Sequence, residues 1–179
     1  MKTTITEALA ELKTIDKRVQ KKMEFCLGAG TLVRQEMLKD PHEKEGGAKK
    51  LIAQERQAIK DLHTRKIDIR RAILDANMRE TITVENTTHT INDWLVWRRE
   101  VVQNEKGFLD NMIRNIDRTR QDAQRKGVNV SEKETGSPTN VVVNINEKEL
   151  SEETEMIEKI LGDLDGKLSL KNATTMIDV

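Results

Sequence analysis

The sequence predicts a mainly α fold: a long antiparallel helical hairpin or coiled-coil-like bundle, a small β-hairpin at its apex, and a small C-terminal strand–helix–strand annex. Three observations predict it. Apolar residues recur at steps of three and four through three long segments, the pattern switches once to alternating β-branched residues over 81–91, and a stretch with Gly, Ser and Pro at 127–140 interrupts both. The expected organisation is a helical coiled-coil-like domain over 1–126 with the β-hairpin at 81–91, a linker over 127–140, and a small acidic annex over 141–179.

Thr4 with Glu7 three positions later forms a capping-box pattern, so a helix begins there. Ile5, Ala8, Leu12, Ile15, Val19 and Cys26 follow as an apolar seam that only Lys22 breaks. Gly28 and Gly30 end it. Residues 31–47, with Asp40-Pro41 and Gly46-Gly47, read as a long loop with one helical turn. A second helix runs from Ala48 to Met78 on Ile52, Ile59, Ile73 and the companions Leu62, Ile69 and Ala76. Lys66 occupies the missing step, which favours a hairpin or bundle over a dimeric zipper.

Thr81-Ile82-Thr83-Val84 and Thr88-His89-Thr90-Ile91 flank Glu85-Asn86-Thr87, a β-hairpin signal. Asn92-Asp93 then caps a third helix to about Lys126, with Leu95, Val102, Leu109 and Ile116 every seventh residue. This helix should pair antiparallel with the second. Beyond the linker, residues 141–145 read as a strand, 151–164 as a short acidic helix, and Leu168-Ser169-Leu170 and 176–179 as terminal strands. So small an annex cannot bury its own apolar face, and it should dock on the long helices or on a neighbouring subunit.

Charged residues make up 35% of the 179 and aromatic residues 2%, which suits thin helical layers and leaves few rings for stacking on bases. Net charge is +0, yet residues 127–179 hold 5 Lys against 11 Asp and Glu, or −6, leaving +6 for residues 1–126. The two parts could attract each other within or between subunits, or form two ordinary solvated surfaces. Cys26 is the only cysteine, so no intrachain disulfide forms, and a reducing cytoplasmic setting is expected. No secretion signal or membrane span is visible.

Chemistry-bearing motifs are sparse. His42, His63 and His89 lack the spacing that presents two imidazoles to a metal, and Cys26 sits on an apolar stripe. Asp163-Leu164-Asp165-Gly166 starts like a calcium loop, but position 174 is Thr174 where a glutamate is needed. Lys60, Arg65, Lys66, Arg70 and Arg71, with Arg114, Arg118, Arg120, Arg125 and Lys126, could meet phosphates. Interspersed acids and the lack of a reading motif disfavour nucleic acid. No catalytic residue, cofactor or metal is expected. Trp94 and Trp97 either anchor a subunit interface or pack under the hairpin within one chain. With them, Leu95, Val102, Leu109, Ile116, Val141 and Val143 are the candidate interface residues.

Over 67–102 the order is an apolar helix end, Ala76-Asn77, a strand pair, and Thr90-Ile91-Asn92-Asp93-Trp94-Leu95 leading to Arg98 or Arg99. This resembles the septicolysin-like family of small bacterial and phage-encoded helical proteins, over about the first two-thirds of the chain. The resemblance implies an oligomer-forming helical fold and carries no activity with it. The chain also resembles small structural and assembly proteins of tailed phages. The expectation is a non-enzymatic structural or assembly protein that self-associates or joins other structural proteins, most specifically in a bacteriophage head or tail, within the host cytoplasm or the virion. The alternative is a chaperone-like or adaptor module with a prefoldin-type helical hairpin.

Overall fold

A computed structural model describes residues 2–134, 136–137 and 139–179. Of the expected linker, Thr135 and Pro138 lie outside these described residues, as does Met1. The chain is 69% helical, with four long helices and small two-stranded sheets. It divides into two compact units, residues 1–79 with 169–179, and residues 80–168. The expected boundary after residue 126 falls inside the second unit.

In the first unit, strand β1 (Lys2–Thr4) leads into helix α1 (Ile5–Leu27), and a loop with a single 3-10 turn at Glu43–Glu45 leads to helix α2 (Ala48–Arg79). Both halves of the capping box are made. The Glu7 amide donates to the Thr4 hydroxyl at 3.2 Å, and the Thr4 amide donates to the Glu7 carboxylate at 2.9 Å. Gly28 closes α1 in an extended conformation, and the left-handed turn falls two residues later at Gly30, with φ of 79°. Ile5, Ala8, Leu12, Ile15 and Val19 of α1 pack against Ile69, Ile73 and Ala76 of α2.

Three ion pairs cross between these helices: Glu11 with Arg65 at 2.9 Å, Asp16 with Lys66 at 2.6 Å, and Lys22 with Glu55 at 2.6 Å. The outer two, Glu11 with Arg65 and Lys22 with Glu55, show that α1 and α2 run antiparallel. Within the first unit the antiparallel pair is therefore α1 with α2. The first unit is closed by β6 (Met176–Asp178), antiparallel to β1 with Thr3 opposite Ile177, and Ile177 joins the helical core.

In the second unit, β2 (Thr81–Val84) and β3 (Thr87–Thr90) form the hairpin, and helix α3 (Ile91–Val96) continues through a π-helical turn at Trp97–Val101 into α4 (Val102–Arg125). The cap of α3 is Thr90 and not Asn92-Asp93: the Asp93 amide donates to the Thr90 hydroxyl at 3.1 Å. The threonine that ends the strand is thus the residue that starts the helix.

Strand β4 (Asn129–Ser131), inside the expected linker, pairs in parallel with β5 (Asn140–Val142), so the strand expected over 141–145 is shorter and begins earlier. Helix α5 (Glu147–Thr174) replaces the expected short acidic helix, and Leu168-Ser169-Leu170 is helical and not a strand. Ile160, Leu164 and Leu168 stand four apart and pack on Ile82, Val84, Ile91 and Trp94, so burial at helical spacing overrides the local alternation. Gly162 and Gly166 sit within α5 facing open space, where they weaken the helix without breaking it.

Candidate functional site

The titratable groups are mostly consumed by structure. Asp163 and Asp165, which start like a calcium loop, lie in α5 and bind Lys167 at 2.7 Å and Arg98 at 2.6 Å. Arg120 pairs with Glu147, and hydrogen bonding to that carboxylate raises the pKa of the guanidinium further. A hydrogen bond from Lys106 at 2.8 Å holds the Glu158 carboxyl below its usual range. His42 lies beside Thr31 and Phe25 in the loop after α1, and His89 stacks edge-on to Trp94 at 5.3 Å. Among the described residues, no three His, Cys, Asp or Glu side chains are grouped so as to hold a metal ion. No helix among them is long and apolar enough to cross a membrane.

What remains is surface. In the second unit α4 and α5 run antiparallel, as the pairs Lys106–Glu158 and Arg120–Glu147 require. Between them opens a groove of about 420 Å³. Phe108, Leu109 and Met112 form one wall, Leu150, Met156 and Ile157 the other, and Ile145 lies at an end. Phe108 is 64% exposed and Met156 45%. Glu105 and Glu149 mark opposite ends of the groove and Glu153 lies between them. Glu105 and Glu153 have no ion-pair partner among the described residues, and Glu149 accepts a hydrogen bond from Asn146 at 2.9 Å. An apolar trough with two flexible methionines and carboxylates along its edge is suited to an amphipathic, basic helix.

In the first unit, α1 covers one face of α2 and leaves the opposite face open. Ile67, Leu74 and Met78 lie there, 57%, 52% and 55% exposed. At 100° per residue, Arg56, Lys60, Arg70 and Arg71 fall within about 60° of Leu74 and no Asp or Glu does. Arg56, Lys60 and Arg70 have no ion-pair partner among the described residues, and Arg71 approaches Asp68 only at 3.9 Å. This face is apolar at its C-terminal half and cationic along its length.

The residues singled out from sequence divide between core and surface. Trp94 is buried, and its indole N–H donates to the Ile82 carbonyl at 2.9 Å. Trp97 is half-buried and meets the Trp94 ring edge-to-face at 5.4 Å. The tryptophans therefore pack under the hairpin within one chain. Val102 and Leu109 are buried as well, and Leu95 and Ile116 are half-buried. Val141 is exposed on β5, and Val143 is half-buried just beyond it.

Sequence reasoning missed the groove's open residues, because the heptad through Leu95, Val102, Leu109 and Ile116 singles out Leu109 and passes over Phe108 and Met112. A signal was present, since an aromatic beside a heptad position overfills a single seam. Compared with known proteins, the chain matches no family model, no curated protein and no solved structure, which leaves these two surfaces to be interpreted from their own geometry.

Proposed function

We propose that this chain is a non-enzymatic structural or assembly protein that self-associates or docks into a larger particle, in its most specific form a component of a bacteriophage head or tail. The observation that supports this reading is the open apolar groove between α4 and α5, where Phe108 and Met156 stand in solvent beside a packed core. Clustered exposed apolar residues with a polar rim are the usual mark of a protein–protein contact. The ionisable groups near the groove are engaged in ion pairs or line its edge, and they do not converge on a reacting position. A prefoldin-like role is less well supported, because the hairpin residues that would grip a client, Ile82 and Val84, are buried in their own unit.

Light scattering on the purified chain across a concentration series tests the reading, and a discrete multimer or a steadily rising mass is expected. A mass that stays monomeric at high concentration, with no stoichiometric partner recovered from the source cells, would overturn it. Mass spectrometry of purified virions tests the more specific form.

A further inference from the structure

We propose that the outward face of α2 in one copy seats in the α4/α5 groove of a second copy, so that copies join head to tail. The proposal rests on the self-association reading and names the surfaces that carry it. Complementarity is its basis: the groove is apolar with Glu105, Glu149 and Glu153 along it, and the α2 face is apolar with Arg70 and Arg71 beside it and no acid among them. The stripe is long enough to fill the groove. At 1.5 Å per residue the walls Glu105–Met112 and Glu149–Ile157 run about 10 and about 12 Å, and the stripe from Ile67 to Met78 rises about 16 Å. Leu74 and Met78, one turn apart, fit between the walls. Because Glu105 and Glu149 lie at opposite ends, the arginines one turn before Leu74 meet a carboxylate at whichever end they reach.

The two surfaces belong to different parts of the chain, so each contact leaves one groove and one α2 face unused. Such a heterologous contact repeats until it closes a ring or grows as a filament. A single groove of this size holds one pair weakly, and the mean mass should rise with concentration.

One-sided variants test the pairing. Phe108→Asp spoils the groove and Leu74→Asp spoils the face. Both positions are already exposed, so far-UV circular dichroism should match the wild type. Each variant alone should be monomeric by light scattering. Mixed one to one they should form a heterodimer of twice the monomer mass, because the Leu74→Asp copy offers an intact groove and the Phe108→Asp copy an intact face. Met156→Asp with Met78→Asp repeats the test on the same surfaces. A wild type that multimerises while either variant keeps the wild-type mass overturns this pairing and leaves self-association standing, and so does a mixture that stays monomeric. A wild type that is monomeric throughout overturns both, including one that sediments with vesicles of anionic phospholipid through the α2 face.

Discussion

The indole N–H of Trp94 donates to the main-chain carbonyl of Ile82 at 2.9 Å, which fastens the β-hairpin to the helix that follows it. Trp94→Ala removes both the bond and the buried ring and should cost about 3–5 kcal/mol. Trp94→Phe keeps most of the apolar surface and loses the bond, at about 1–3 kcal/mol. Urea unfolding of the two variants beside the wild type separates these contributions. Equal losses for both would assign the whole effect to the hydrogen bond.

Glu7 is a titration probe for the first unit. The Thr4 amide, then the Thr3 hydroxyl, hold its carboxyl below the ordinary value of 4.5. A depressed folded pKa contributes stability above the unfolded value, and that contribution disappears as pH falls through the folded value. Glu7→Gln should therefore be less stable than wild type at neutral pH, with the difference shrinking as pH drops below about 4.5. Unfolding midpoints measured at neutral and acid pH check this, and a difference that is constant with pH contradicts it.

Gly162 and Gly166 lie in the interior of α5 without a left-handed φ, and a Cβ at either meets nothing within 4 Å. Gly162→Ala and Gly166→Ala should each stabilise the chain by about 0.5–1 kcal/mol, through lower unfolded-state entropy and higher helix propensity. Thermal unfolding gives the sign directly, and a lowered midpoint would mean that these positions serve something other than the helix.

Leu109→Asp and Phe108→Asp differ by one position and should differ in kind. Leu109 is buried, so an aspartate there places an unpaired charge in the core and should cost several kcal/mol, on the order of 3 or more. Phe108 is exposed, and its variant should keep wild-type helicity while changing association. Circular dichroism paired with light scattering distinguishes the two. Loss of helicity in Phe108→Asp would mean that the ring supports the fold.

Much of the fold was legible wherever local chemistry and burial agree. The seam from Ile5 to Val19 and the Thr4–Glu7 cap are examples, since both follow from spacing alone. The two charged interruptions had a meaning that spacing could not supply: Lys22 and Lys66 break the seams of α1 and α2, and each reaches a carboxylate on the other helix. Strands β1 and β4 are three residues each and exist only through their partners, so no local pattern announces them, whereas the strand expected at 176–179 is present as β6. For α5, the Leu-Ser-Leu alternation and two glycines pointed one way locally, and the fit of Leu164 and Leu168 onto the hairpin decided the other. The candidate surfaces were the least legible part. A heptad register identifies residues that seek cover, and the chain's own folding determined that Trp94, Val102 and Leu109 find it internally while Phe108 does not.

The antiparallel match of Thr3 with Ile177 brings the first and last strands together. During synthesis on a ribosome, α1 and α2 emerge before the second unit and can collapse on each other, but Ile177, which completes their core, emerges only after that unit has been made. The intervening segment, continuous from Glu80 to Leu168, is free to mature in the meantime. A nascent chain stalled before Ile177 would thus carry one finished body and one still waiting for its keystone.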